Sequence, residues 1–312
     1  MLSRFARDVR EGLQKSPQRA VPPFYFYDAV GTALFEAITH LPEYGLTRAD
    51  ERLIERYAHQ MAAGTPSHVI ELGSGTARKT RPILEAAGVA GPIEYHPIDV
   101  SEEALRQCAW SLADLDGVEV FPREASYFEG LRAIAGARSN GGRALVLFLG
   151  STIGNFDRVG AREFLRGVRG YLREGDAMLV GADLVKPAGQ LLAAYDDPTG
   201  VTAAFNRNLL ARMNRELGAD FDLRRFRHEA RYRAVEQRVE MHLVSTGAQT
   251  VAIPGAELDA VAFAEGESIW TESSHKFTVD GLSSLAESAG YRFGEHWVDA
   301  EWPFAEALLE VV

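Results

Sequence analysis

Between residues 68 and 183, short apolar runs alternate with stretches whose apolar residues recur at helical spacing. His68–Gly75 (HVIELGSG) predicts a buried strand entering a glycine turn, Thr80–Ala87 a helix, and Ile93–Asp99 (IEYHPID) a second strand. Ser101 predicts the cap of the next helix, with Leu105, Ala109 and Leu112 on one face. Val118–Phe121 carries a third, weaker strand pattern. Arg143–Gly150 (RALVLFLG) and Ala177–Asp183 (AMLVGAD) are almost continuously apolar, as strands covered on both faces are, and Ala161–Leu172 between them has helical spacing. This βαβα order predicts a parallel, doubly wound sheet with right-handed crossovers.

The pattern changes after Leu184. Lys186–Glu216 reads as helical with a turn at Asp196-Asp197-Pro198. Val235–Ser245 alternates like a half-buried strand, and Thr246-Gly247 predicts a turn that pairs it with Gln249–Ile253 as a hairpin. His275–Val279 then leads into a helix over Gly281–Ala289. Tyr291–Val298 and Ala305–Val312 follow, joined by the short Glu301-Trp302-Pro303 link and so expected to pair antiparallel. A five-strand parallel sheet closed by such a hairpin is the α/β, Rossmann-like arrangement of class I methyltransferases. The expected division is discontinuous: a sheet domain of residues 49–185 and 277–312, and an α+β domain of residues 1–48 and 186–276.

Composition narrows the function classes. With 46% hydrophobic and 25% charged residues, the 312-residue chain is neither disordered nor a disulfide scaffold, and its length suits two domains. Thirty-three Lys and Arg against 44 Asp and Glu, a formal charge of -11, argue against nucleic acid or anionic membrane as partners. Cys108 is the single cysteine, so an internal disulfide and a cysteine-rich metal site are excluded. No apolar stretch is long enough for a membrane span, and the MLSRFARDVREG start lacks a signal core, so the expectation is a cytoplasmic protein, monomeric, without metal. His96 and His275 read as structural, because no companion ligands stand at metal spacing in the sequence.

Open parallel sheets bind ligands beyond the carboxyl ends of their strands. Glu71-Leu72-Gly73-Ser74-Gly75 stands at one such end, and its glycines read either as a tight turn or as a close backbone approach to a ligand. Asp99 ends the next strand, where a carboxylate can accept from both ribose hydroxyls; a turn or cap role is the alternative. Gly150-Ser151-Thr152-Ile153-Gly154-Asn155 follows the most apolar strand. The third glycine of the dinucleotide fingerprint is missing. Together these features point to S-adenosylmethionine or a nicotinamide cofactor, and the terminal hairpin favours the former.

Several segments resemble one family, the histidine-specific Nα-methyltransferases of ergothioneine biosynthesis. They are Phe26-Tyr27-Asp28-Ala29-Val30-Gly31, Leu41-Pro42-Glu43-Tyr44 with Thr47-Arg48, Glu71 to Thr76, and Phe148 to Asn155. Asp183-Leu184-Val185-Lys186, Tyr195-Asp196-Asp197, Ala204-Phe205-Asn206-Arg207-Asn208 and Thr271-Glu272-Ser273-Ser274-His275-Lys276-Phe277 complete the series. The resemblance covers nearly the whole chain in order. It implies transfer of three methyl groups from S-adenosylmethionine to the α-amine of L-histidine, giving hercynine. By position it implies that Gly73, Gly75, Lys79 and Asp99 hold the methyl donor, and that Tyr44, Asn155, Tyr195, Met241, Glu272 and Ser274 hold histidine. Tyr27 would lie near the reacting amine.

The residue chemistry agrees with these roles. Methyl transfer needs a neutral amine aligned with the methyl carbon, and tyrosine hydroxyls can orient it and help move its proton. Asn155 and Tyr195 offer donors to a carboxylate without adding a cation. Glu272 and Ser274 can bind both imidazole nitrogens, and Met241 can pack on the ring. Each residue also has an ordinary reading: core tyrosines for Tyr44 and Tyr195, a surface lysine one turn into a helix for Lys79, a helix cap for Asn155, and a solvated residue or a partner of Lys276 for Glu272. The sequence departs from the family pattern twice. Ser126-Tyr127 stands where the family has an acidic-aromatic pair at the adenine, so these two are the expected cofactor contacts there, with Tyr127 able to stack, and Gly45-Leu46 stands where a second aromatic residue often follows Tyr44. A related indolic amino acid as substrate, or a non-catalytic S-adenosylmethionine sensor, are the competing readings.

Overall fold

A computed structural model describes residues 2–64, 66–138 and 142–312. The chain folds into two compact units, one made of Leu46–Val185 and Lys276–Val312, the other of Met1–Gly45 and Lys186–His275.

The first unit is built on the sheet that the apolar runs predict. Its strands lie in the order Arg292–Val298, Phe304–Glu310, Ala177–Asp183, Ala144–Phe148, His68–Leu72, Ile93–Asp99, Val118–Val120. The last five run parallel, and the first two form an antiparallel hairpin joined to Ala177–Asp183, which is the class I methyltransferase arrangement. His68–Leu72 and Ala144–Phe148 are buried at every residue, so burial on both faces explains their lack of alternation. Ile70, Leu72, Val146, Phe148, Phe164 and Leu309 belong to the core between sheet and helices. The chain runs outward from His68–Leu72 through Ile93–Asp99 to Val118–Val120, then returns to place Ala144–Phe148 on the other side. That reversal sets the Gly73 turn and the Gly150 loop at neighbouring strand ends, where such sheets take ligands.

The second unit carries a sheet ordered Arg19–Ala20, Ser268–His275, Arg238–Ser245, Phe226–Arg233. The expected hairpin of Val235–Ser245 with Gln249–Ile253 is not formed. Arg238–Ser245 pairs with Phe226–Arg233, and Gln249–Ile253 pairs with Leu258–Phe263 in a separate two-stranded ladder. The charged residues of FRHEARYR masked the first partner: its outer face is solvated, so it shows little apolar signal. The helical stretch after residue 186 is two helices, Ala188–Tyr195 and Val201–Leu217. Asp197 separates them by accepting from the Val201 and Thr202 N–H groups at 3.1 and 2.7 Å; against the opposing effect of burial, the Thr199 hydroxyl first and then these groups hold its carboxyl near 2. Ala29–Thr39 packs against Val201–Leu217, with Phe26 and Phe205 rings 4.5 Å apart.

Candidate functional site

The chain leaves the His68–Leu72 strand through Gly73 and Gly75, at φ +77° and +51°. A Cβ on Gly73 would lie 3.1 Å from the Tyr127 hydroxyl oxygen, so this turn needs glycine for its conformation and for that close approach. Asp99 accepts from the Gly75 N–H at 3.2 Å and the Ser101 N–H at 3.0 Å. Cap duty for the next helix falls to the Ser101 hydroxyl, which accepts from Ala104 at 3.2 Å. A carboxylate has about four acceptor sites, so the half-buried Asp99 keeps capacity for a ribose diol. Tyr127 sets its ring edge-on to Phe148 and Phe164. Burial, and then the charge of Asp99, push its phenol up to about 12, so it remains a neutral donor. Gly73, Gly75, Asp99 and Tyr127 are therefore brought together, and this set fits a nucleoside. Ser126 is exposed and gives both its N–H and its hydroxyl to the Glu129 carboxylate, as the N-cap of the Tyr127–Ala137 helix.

Lys79 stands in the turn before the Arg81–Gly88 helix rather than one turn inside a helix. Its ammonium lies 2.6 Å from Asp50 Oδ2, which also accepts from the Gly150 N–H at 3.1 Å. A Cβ on Gly150 would sit 3.0 Å from Lys79 Nζ. Burial alone lowers the Lys79 ammonium, but the charge and hydrogen bond of fully buried Asp50 outweigh it and hold Lys79 above its ordinary value. Behind Asp50 lies Glu306, 0% exposed and on the Phe304–Glu310 strand. Burial first, and Asp50 beside it, push Glu306 well above the carboxylate range, which favours its neutral form against Asp50. Asp50 Oδ1 and both Glu306 oxygens are buried and have no hydrogen-bond partner among the described residues. Nearby Glu71 accepts from Tyr95 and Thr80, yet burial raises it to about 7.

The Gly150 loop turns through two left-handed residues, Gly150 at φ +70° and Ser151 at φ +59°. Ser151 Oγ accepts from the Asp183 N–H at 2.9 Å and pins the loop to the neighbouring strand. Asn155 ends this turn with its side chain exposed. Asp157 caps the following helix, accepting from Gly160 at 2.7 Å, so that ordinary role is filled without Asn155.

In the other unit, Tyr195 ends the Ala188–Tyr195 helix and its hydroxyl donates to Ser274 Oγ at 2.7 Å. Its ring meets Tyr44 edge-on at 6.2 Å, and Phe35 continues the row from Tyr44 to Tyr27. Tyr27 is 46% exposed, whereas Tyr44 and Tyr195 are buried. A bulge at Thr271 decides which face Glu272 uses. Trp270 pairs with His242 while Glu272 pairs with Met241, so one extra residue turns Glu272 onto Met241's face, shared two residues on by Ser274. Thr271 is held by its hydroxyl, which donates to Asn206 Oδ1 at 2.8 Å. Asn206 Nδ2 in turn donates to His228 Nδ1 at 2.8 Å, and His228 Nε2 donates to the Tyr195 carbonyl at 2.7 Å. Desolvation keeps His228 below its ordinary value, hence neutral.

The structure thus gathers Tyr27, Tyr44, Tyr195, Met241, Glu272 and Ser274 in one unit, and Gly73, Gly75, Asp99 and Tyr127 in the other, with Lys79 on Asp50 and Asn155 on the Gly150 loop. Asp50, Glu306 and His228 escaped the sequence reading, and Asn206 stood only inside a family segment without a role. The one available signal was Glu306 as a lone acid inside an apolar strand. The reading of His96 as lacking companions is corrected: His68 on the adjacent strand and Glu94 two residues earlier lie beside it.

Residues 5–311 match the family model described as histidine-specific methyltransferase, SAM-dependent. The histidine N-alpha-methyltransferase of Mycobacterium tuberculosis is 42% identical over 305 residues, covering 97% of this chain and 93% of its own. The protein of the same name from Mycolicibacterium smegmatis is 43% identical with the same coverage. The L-tryptophan methyltransferase trpM of Psilocybe serbica is 27% identical over 322 residues, covering 93% and 88%.

Proposed function

This chain belongs to the S-adenosylmethionine-dependent histidine-specific methyltransferases, and we propose that it methylates the α-amine of L-histidine three times, giving hercynine for ergothioneine biosynthesis. The observation that carries the reading within the structure is the bulged strand, which sets Glu272 and Ser274 on one face with Met241.

When bound, S-adenosylmethionine supplies an electrophilic methyl group on a sulfonium. The chain's task is then to hold, orient and deprotonate the amine. Gly73 and Gly75 would bring bare backbone to the donor, Asp99 would accept from its ribose, and the Tyr127 ring would stack on its adenine. Lys79 and Gly150 are fixed to each other through Asp50, which keeps the donor end rigid. Glu272 accepts from one imidazole N–H and Ser274 meets the other nitrogen. A carboxylate desolvated by an apolar side chain would be left without a partner, and that discriminates for histidine. Tyr195 orients Ser274, while Tyr44 offers a donor to the substrate carboxylate. Tyr27 orients the neutral amine and passes its proton towards solvent, consistent with its exposure.

Incubating the protein with S-adenosylmethionine and each amino acid separately, and reading product masses, tests this. Histidine carrying one, two and three added methyl groups is the expected outcome. Methylation of tryptophan derivatives in preference to histidine would establish the indolic reading instead, and donor binding without any product would establish a sensor.

A further inference from the structure

We propose that His68, Glu94 and His96 form a binding site for one divalent metal ion of the zinc class, at the amino-terminal ends of the sheet strands. His68 is the cross-strand partner of Glu94, and His96 follows Glu94 by two residues, so the pleat puts all three side chains on one face. Glu94 Oε2 lies 3.3 Å from His68 Nδ1 and 3.1 Å from His96 Nε2, and the three donor atoms all fall within 4.8 Å of one another. Ligands about 2.1 Å from a tetrahedral ion stand roughly 3.4 Å apart, which matches the two contacts to the carboxylate.

Both imidazoles are prearranged. His68 and His96 are 6% and 5% exposed, their rings stack 5.9 Å apart, and His96 stacks in turn on Phe121 at 5.3 Å. His68 Nδ1 is buried, has no hydrogen-bond partner among the described residues, and faces the carboxylate. The half-buried Glu94 lines a solvent-open groove of about 650 Å³ with His68, Ile93 and Gly142, so an ion can enter and water can fill its fourth position. Two imidazoles and one carboxylate suit zinc, cobalt or nickel better than calcium or magnesium. The site clips together two strands whose opposite ends carry Gly73 and Asp99. Its effect is therefore on stability, and methyl transfer proceeds without it.

The test titrates untagged, chelator-stripped protein with Zn²⁺ in competition with a chromophoric chelator, alongside thermal melting. One saturable equivalent and a raised Tm are expected. Glu94→Gln changes a solvent-facing carboxylate and leaves the fold intact; it should weaken binding at least about tenfold, and His96→Ala further. The remaining histidines and Cys108 persist in both variants, so stray binding would survive the substitutions. Absence of saturable binding, or equal affinity in wild type and Glu94→Gln, overturns the proposal and leaves a packed His-Glu-His cluster. If His96→Ala does not fold, the comparison of wild type with Glu94→Gln decides alone.

Discussion

The Tyr195 hydroxyl donates to Ser274 Oγ across 2.7 Å, joining the end of a helix to the strand that carries Glu272. Both side chains are buried, so each depends on the other for its position. Tyr195→Phe and Ser274→Ala should each raise KM for histidine by about tenfold, and the double variant should lose less than the sum. Steady-state kinetics of the cycle give the coupling, expected near 1 kcal/mol; strict additivity would separate the two residues.

Glu272→Ala should weaken histidine far more than S-adenosylmethionine, and Asp99→Ala should do the reverse. The two residues stand in different folding units, and the chemistry assigned to each concerns one ligand only. Calorimetry with each ligand alone reads the split. Equal losses for both ligands in both variants would show that the partition is wrong.

The buried Asp50–Glu306 pair makes a sharper test of the donor end. A glutamine at 306 keeps a neutral donor towards Asp50, so Glu306→Gln should retain donor affinity. Glu306→Leu leaves Asp50 with one partner fewer and loosens Lys79, so KM for S-adenosylmethionine should rise about tenfold with kcat changed less. The rescue by glutamine is the diagnostic, since a purely steric role would not tell the amide from the branched apolar chain.

Asp197 contributes to the acid stability of the second unit. Its folded value near 2 lies below the usual carboxylate value near 3.9, so its stabilisation is present above about pH 4 and fades as pH falls towards 2. Asp197→Ala should cost about 2 kcal/mol at neutral pH and flatten this part of the acid unfolding curve, measured by circular dichroism.

The sheet could be read from the chain because strands buried on both faces write themselves as unbroken apolar runs, and the turn at Asp197 was visible as a break in helical spacing. Glu272 and Ser274 were identifiable only through family resemblance; no pattern in the sequence shows the bulge at Thr271 that gives Glu272 its face, because that bulge exists in the pairing with Arg238–Ser245. Asp50 and Glu306 are far apart in sequence and meet through tertiary packing alone. His68 and His96 likewise needed the strand register before they became neighbours, and the solvated face of Phe226–Arg233 hid the partner that displaced the expected hairpin.

On the proposed function, methyl transfer falls on the α-nitrogen of histidine rather than on a ring nitrogen. Turnover with methyl-labelled S-adenosylmethionine, followed by nuclear magnetic resonance of the product, reads the position directly. Equivalent labelled methyl groups on a quaternary α-ammonium are expected, with both imidazole nitrogens unmethylated. Label on an imidazole nitrogen, or on a different amino acid when histidine is present, would contradict the proposed function.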